Sequence, residues 1–290
     1  MDKQVSIVIP VFQRQAVCEA AIASALAQTG VDFELIVVDD GSPDPFTLSE
    51  AMAAESRIRL IRQEWNAGAA AARNRGVHEA KAPWIAFLDS DDVWLSGKLA
   101  PQLALAQKAV RQNPLTCVMT GFKQVDMATG ESKDRVPIES TDPADFASAC
   151  WFAPGSTALV PREAFERIGF FDESLERLED LDWFLRLALA GGSIRVLPRI
   201  ASRVHIGRRP SPEKLDRTIG KLEAKWVVSD APGKLMPVLR RNLAAYLAVE
   251  KASTRYSSGR YIDFCLALAK SLFLKPRLRV HLRDWWASPT

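Results

Sequence analysis

Short β-branched and aromatic runs alternate with alanine-rich stretches of helical period along the first third of the chain. Residues 5–10 read as a strand ended by Pro10. Residues 13–28 follow, with Val17, Ala20, Ala21, Ala25 and Leu26 at helical spacing. Residues 33–38, 58–61 and 84–88 give three more strands, separated by helices over 48–55 and 69–79. Strands and helices alternating at this pitch predict βαβ units and an α/β fold, its mostly parallel sheet covered on both faces. Two strands run straight into carboxylates. Val37-Val38 leads to Asp39-Asp40-Gly41-Ser42, and Phe87-Leu88 leads to Asp89-Ser90-Asp91-Asp92, before a helix beginning near Ser96. The carboxyl edge of an open α/β sheet is where ligands bind.

The pattern changes beyond Thr116. Residues 117–122 read as a strand and 123–137 as a polar hairpin region. Residues 151–160 read as a loop and strand, and 195–197 as another strand. Between them Leu181, Phe184, Leu185 and Ala188 share one face of a helix that begins at Glu179-Asp180. Helices over 215–229, 236–256 and 258–274 close the chain. This divides it into a catalytic-looking region over 1–210, with halves 1–115 and 116–210, and a helical extension over 211–290.

Composition narrows the class. With 290 residues, 48% apolar and 25% charged, the chain is an ordinary globular protein with room for a large core. Cys18, Cys117, Cys150 and Cys265 form no CxxC pair, which argues against a zinc cluster or disulfide framework and for a reducing compartment. His78, His205 and His281 form no HExxH pattern. Residues 1–4 enter the first strand without a leader-like segment, and no apolar run reaches the ~18–20 residues of a membrane span. A cytoplasmic location is the expectation. Charge is uneven: residues 1–198 hold 19 Lys+Arg against 28 Asp+Glu, and residues 199–290 hold 19 against 7. A basic end on an acidic body implies an anionic partner, a membrane surface before nucleic acid. Phe264, Leu266, Leu268, Leu272, Phe273 and Leu274 precede Lys275, Arg277, Arg279, Arg283 and Trp285-Trp286. That mixture fits peripheral attachment to anionic lipid through 258–286. It equally fits a helical cap packed on the first region, or a dimer surface.

The carboxylates carry the candidate chemistry. Asp89 and Asp91, two apart on a turn, can offer hard oxygen ligands to Mg²⁺ or Mn²⁺ bearing a phosphate ligand. The alternative is a solvated turn capping the next helix. Neither GxGxxG nor GxxxxGK[ST] is present, so a bound diphosphate needs another counter-charge. A metal at Asp89 and Asp91, helped by Arg73, would supply it. Asp40 can accept a hydrogen bond from a base's ring N–H, and Phe12 can lie against its face. Each also reads as a turn former or a packed aromatic. Trp151 can stack on a sugar or simply pack. Glu179 and Asp180 sit where a helix dipole keeps an aspartate ionised, and also where acidic residues act as caps.

Together these segments carry a resemblance. Val5–Phe12 (VSIVIPVF), Val37–Ser42 (VVDDGS), Asn66-x-Gly68 with Ala71–Gly76 (AARNRG), and Phe87–Asp92 (FLDSDD) occur in the order seen in glycosyltransferase family 2. The resemblance covers roughly residues 3–205. It implies a GT-A fold and a nucleotide-diphosphate sugar donor, UDP-sugar favoured, transferred with inversion. Under it, Pro10 and Phe12 contact the nucleobase, Asp40 binds the base, and Asn66 and Gly68 line the donor. Arg73 lies near base or diphosphate, Asp89 and Ser90 near ribose or metal-bound water, and Asp91 ligates the metal. Asp92 has a weaker claim beside a surface or capping role. Residues 165–173 lead to the general base, Asp180, with Glu179 orienting the acceptor. His205 is either structural or a third metal ligand. The loop 205–212 is expected to close over the diphosphate. The acceptor implied is a saccharide or lipid-linked saccharide of surface polysaccharide or lipopolysaccharide synthesis. A sugar nucleotidyltransferase would need a glycine-rich loop after the first strand, which is absent. A non-catalytic nucleotide-sugar-binding partner has no need of intact Asp89/Asp91 and Glu179-Asp180. The sequence says nothing of oligomeric state.

Overall fold

The computed structural model describes residues 3–152, 155–207, 210–228, 236–276 and 286–287, for the last two the backbone alone. The first half builds β1 (Val5–Val11), α1 (Gln15–Leu26), β2 (Phe33–Asp39), α2 (Glu50–Ala53), β3 (Ile58–Arg62), α3 (Ala69–Glu79) and β4 (Trp84–Phe87). These strands lie parallel in the order β3-β2-β1-β4. Their side chains alternate between two cores. Val8, Ile36, Val38, Ile85 and Phe87 enter one; Ile7, Ile9, Leu35, Val37, Trp84 and Ala86 enter the other. This two-sided burial is why β1, β2 and β4 read as continuous apolar runs. Each Val, Ile, Leu or Phe among them contributes about 1.5–3 kcal/mol relative to exposure.

Two backbone details fix the strand ends. Pro10 pairs with Val38 of β2, while the β4 ladder stops at Val8. Val8 directs its carbonyl to Leu88 on the β4 side, so Pro10, two residues on, lacks its donor where β4 has already turned away. Gly76 lets α3 settle on β1, since a Cβ there would stand 2.2 Å from Val8 Cγ1.

The second half comprises β5 (Val93–Trp94), α4 (Leu99–Ala109), β6 (Thr116–Asp126), β7 (Ser132–Pro137), α5 (Pro143–Phe146), β8 (Leu159–Pro161), α6 (Arg162–Ile168), α7 (Glu179–Leu189) and β9 (Ser193–Ile206). Here the sheet is mixed. β8 runs antiparallel to β4 and β6, β7 forms the expected hairpin with β6, and β9 runs parallel to β6 and antiparallel to β5. β9 is far longer than the strand expected over 195–197. Thr120 pairs with Leu197 and Gly121 with Ile200, so Pro198 and Arg199 bulge out and the strand continues past the proline.

The extension forms α8 (Pro212–Leu222), a π-helical turn (Glu223–Val228), α9 (Pro237–Ser257) and α10 (Tyr261–Leu274), with a two-residue β10 (Trp286–Ala287) on β7. Leu239, Leu243 and Leu247 of α9 enter the same core as Leu181, Phe184 and Leu185 of α7. A second tie is polar. Asp182, fully buried on α7, is bonded to Arg186 Nε (2.9 Å), Lys225 Nζ (2.9 Å) and Trp226 Nε1 (2.7 Å). The extension through α9 is therefore a packed part of the fold. Arg277, Arg279, Arg283 and Trp285 lie outside the described residues, as do Arg208 and Arg209 of the loop expected to close. All four cysteines are free.

One buried cation was not foreseen. Lys98 has no exposed surface. Its ammonium donates to Gln102 Oε1 at 2.7 Å and lies 4.1 Å from the Trp94 ring centroid. Burial pushes it down to about 7 from 10.5. The unfolded chain holds that proton throughout the interval, so Lys98 makes stability rise with pH from about 7 to 10.5. Lys98→Met is expected to raise the melting temperature near pH 7, with the gain shrinking toward pH 10 in a melting series. A lower melting temperature at pH 7 would show that the Gln102 and Trp94 contacts outweigh the burial cost.

Candidate active site

The ends of β2 and β4 deliver their carboxylates to one edge of the sheet. Asp39 accepts from the backbone N–H groups of Ser42 (3.1 Å) and Phe46 (3.2 Å) and closes the turn. Gly41 permits that turn: its φ is +66°, and a Cβ would stand 2.3 Å from the Trp65 carbonyl carbon. Asp40 is buried and accepts from Gln63 Nε2 (2.5 Å), Ala67 N (2.9 Å) and Gly68 N (2.8 Å). It thereby shapes the loop of Asn66 and Gly68 and retains one of about four lone-pair sites. Asn66 is exposed, Phe12 half-buried and Pro10 buried.

The acidic turn after β4 splits into three roles. Asp89 meets Arg73 Nη2 at 2.7 Å. Asp91 meets Arg14 Nη1 at 2.6 Å, and both groups are partly exposed. Ser90 is buried. Asp92 corrects an expectation: it is a buried group, not a surface or capping carboxylate. It accepts from Ser156 Oγ (2.5 Å) and from His205 N (2.9 Å), while Ser156 Oγ accepts from Asp89 N (3.0 Å). Burial first, then the charge of Asp89, pushes Asp92 up to about 8. Neither Arg14 nor Ser156 was singled out from sequence. The available signals were Arg14's position just past β1 and Ser156's in the Gly155-Ser156-Thr157 run.

The second acidic centre comes to the first. Leu178 takes a left-handed φ of +57°, costly for a leucine, and this turn starts α7 with Glu179. Arg73 Nη1 meets Glu179 at 2.7 Å while its Nη2 holds Asp89. One guanidinium thus joins two motifs 90 positions apart in the chain. Its neighbour Asn74 fixes the approach: it donates to the Phe171 carbonyl (2.9 Å) and to Glu173 Oε1 (2.8 Å), and accepts from Phe171 N (3.0 Å). Asp180 accepts from Leu181 N at 2.8 Å. Burial first, then Glu179, pushes its carboxyl up to about 6, against the pull of the Leu181 N–H and Arg73. Asp180 and Arg73 border a small cavity completed by aromatic and aliphatic side chains including Phe152, Trp183 and Phe184.

Trp151 is a second correction. It is fully buried, with its ring 5.4 Å from those of Phe146 and Phe152, so it packs the core and cannot stack on a sugar.

The metal expectation meets a divided donor set. Among the described residues no three His, Cys, Asp or Glu side chains converge as a metal cluster. Asp89 is committed to Arg73. Among the described residues the Asp91 carboxylate is bound by the half-exposed Arg14 alone, and His205 Nδ1 lies against the Asp91 backbone carbonyl. Mg²⁺ and similar hard ions bind through one or two carboxylates completed by substrate phosphates and water. Asp91 fits that need without a closed protein cage.

The family model for Glycosyl transferase family 2 matches residues 6–169, ending within the loop that leads to Glu179-Asp180. The chain belongs to glycosyltransferase family 2. Within the family it is 33% identical over 207 residues to an uncharacterized glycosyltransferase of Rickettsia typhi, covering 69% of this chain and 64% of that one. It is 40% identical over 107 residues to the UDP-Glc:alpha-D-GlcNAc-diphosphoundecaprenol beta-1,3-glucosyltransferase of Escherichia coli, covering 37% and 42%. The chain thus spans less than two thirds of the length of these relatives. The amylovoran biosynthesis glycosyltransferase AmsB of Erwinia amylovora matches over 94% of this chain and 91% of its own, at 27% identity. Among solved structures, TarS of S. aureus superimposes with a TM-score of 0.64 at 18% identity, covering 94% of this chain and 81% of that structure. The fold is therefore GT-A type, and Glu179-Asp180 lies on α7 just past the matched region.

Proposed function

We propose that this family 2 member is an inverting glycosyltransferase that moves a sugar from a nucleotide-diphosphate donor, UDP-sugar favoured, to a hydroxyl of a saccharide or lipid-linked saccharide. The observation that carries this reading is the shared guanidinium: Arg73 holds Asp89 and Glu179 together, so donor edge and candidate base face one cleft. Asp180 takes the proton from the acceptor hydroxyl at its carboxylate. The freed oxygen lone pair attacks the anomeric carbon from the face opposite the diphosphate. The carbon–oxygen bond to the diphosphate breaks, and the nucleoside diphosphate departs with that electron pair. One base suffices, because no sugar–enzyme bond forms. Mn²⁺ or Mg²⁺, held by Asp91 with Asp89 nearby and His205 behind, would neutralise charge on the leaving diphosphate. Glu179, fixed by Arg73, orients the acceptor, and Asp40 and Phe12 face the base. UDP and UDP-GlcNAc complexes are known for TarS, and the E. coli relative's name gives a UDP-glucose donor and a lipid-diphosphate acceptor. These support the donor and acceptor classes.

Release of nucleoside diphosphate from a panel of UDP- and other nucleotide sugars, with and without Mn²⁺, tests the proposal. Binding without turnover for every donor and acceptor would favour a non-catalytic partner protein instead.

We further propose that the enzyme attaches to an anionic membrane face. No helix among the described residues is long and apolar enough to cross a bilayer. However, α10 turns Ile262 (79% exposed), Leu266 (65%) and Phe273 (84%) outward at intervals of one to two turns, with Arg260 at its N-cap, paired to Glu213 and Asp263, and Lys270 within it, paired to Glu223. Apolar anchors beside basic side chains suit an anionic interface. Flotation with vesicles containing phosphatidylglycerol is expected to carry the full chain, and I262D/F273D is expected to stay below. Equal flotation of both would remove α10 as the anchor.

A further inference from the structure

Arg14 stands where a donor nucleotide has to pass. β1 lies between β2 and β4 in the sheet, parallel to both, so its end separates the Asp40 turn from the acidic turn 89–92. A nucleotide with its base at Asp40 and its diphosphate at Asp91 crosses that end. Arg14 is there, at the N-cap of α1 just past β1. Its placement is enforced. Gln13 takes a left-handed φ of +52°, a conformation that strains a residue with a side chain and persists only when neighbours hold it. The holder is Ser42: its Oγ accepts from Gln13 N at 2.9 Å, while its own N–H donates to Asp39. The turn after β2 thus fixes the backbone from which Arg14 extends.

The tether at the other end of the side chain is weak. Arg14 Nη1 meets Asp91 Oδ2 at 2.6 Å, yet the two side chains are 50% and 31% exposed. A pair so hydrated is worth little, and salt screens it further. A cation approaching Asp91 alone must displace this guanidinium and meets its positive charge. A diphosphate changes the balance, because it offers the guanidinium fork oxygens close to where it already stands. We infer that Arg14 is an exchangeable counter-ion, which trades the Asp91 carboxylate for the donor's diphosphate as a divalent cation takes its place on Asp91. This inference rests on the transferase reading above. Arg14 is then a donor-positioning residue, and its departure is what opens Asp91. Cation and nucleotide therefore bind as a coupled pair, each raising the affinity of the other.

Electron paramagnetic resonance of Mn²⁺ and calorimetry of UDP, both on the full chain, test the exchange. Mn²⁺ bound elsewhere is subtracted with Asp91→Asn. Without nucleotide, Arg14→Met should hold Mn²⁺ about twofold to fivefold more tightly than the wild type, the worth of an exposed ion pair. With Mn²⁺ at saturation, Arg14→Met should bind UDP about tenfold more weakly or worse, the loss of a hydrogen bond to a charged group. The opposite signs identify the exchange, since a merely disturbed sheet edge would weaken both ligands. Arg14→Lys keeps the charge without the fork. It should leave Mn²⁺ near its wild-type affinity and recover only part of the UDP loss. Mn²⁺ bound no more tightly by Arg14→Met, or UDP bound no more weakly, would overturn the exchange. Normal UDP binding by the wild type alongside either result removes the exchange alone. A wild type that binds no UDP removes the transferase reading, and the exchange with it.

Discussion

Asp180→Asn is expected to lower nucleoside diphosphate release by about 10³-fold, within the range for loss of a general base. UDP affinity should scarcely move, and the melting temperature near pH 7 should rise, because the neutral amide escapes the cost that burial and Glu179 impose on the ionised carboxylate. The asparagine oxygen can still accept from Leu181 N, and the donor edge is untouched. The wild-type rate should fall as pH drops through about 6, where burial and Glu179 place the Asp180 carboxyl, because the protonated acid cannot accept the acceptor's proton. Below that value each pH unit costs about tenfold in rate. The residual activity of Asp180→Asn should lack this acid limb. Full turnover by Asp180→Asn, or the same limb in its profile, would remove Asp180 as the base.

Arg73→Met should weaken the fold and the chemistry together. It leaves Asp89 and Glu179 facing each other across a cleft in which Arg73 is 12% and Glu179 14% exposed. Removing one partner of a buried ion pair costs about 3–5 kcal/mol, and the 28% exposure of Asp89 puts this case at the lower end. A chain of 290 residues should lose roughly 5 °C in melting temperature. The sign of the kinetic effect follows from the same charge. Arg73 lowers the Asp180 carboxyl, so its loss raises that group further and moves the acid limb to higher pH. Arg73→Lys keeps a charge but not the fork, and should recover only part of both effects. An unchanged acid limb in Arg73→Met would show that the guanidinium is a strut without electrostatic influence on the base.

The first half was legible because two-sided burial writes itself into sequence. β1, β2 and β4 are unbroken apolar runs, and each places its polar end where ligands bind. α7 was legible from its apolar face, and the order of the four segments exposed the family. Burial imposed from a distance was not legible. Asp92 looked like a surface carboxylate, and only Ser156 and the β9 backbone at His205 enclose it. Trp151 beside a loop gave no sign that Phe146 and Phe152 would surround it. Lys98 stands in a turn-like Ser-Gly-Lys run, and its burial depends on Trp94 and Gln102. The partnership of Arg14 with Asp91 needed β1 and β4 to be neighbours. The sharing of one core by α9 and α7 required the packing itself, because no pattern in residues 237–257 points at α7.

Asp182 carries an evolutionary consequence. It stands two residues after the candidate base and is clamped by Lys225 and Trp226 of the π-helical turn. Reaction and attachment are therefore inherited on a single turn of helix. A lineage can revise the outer face of the C-terminal helices, yet it cannot shed or graft them freely without unseating the proposed base.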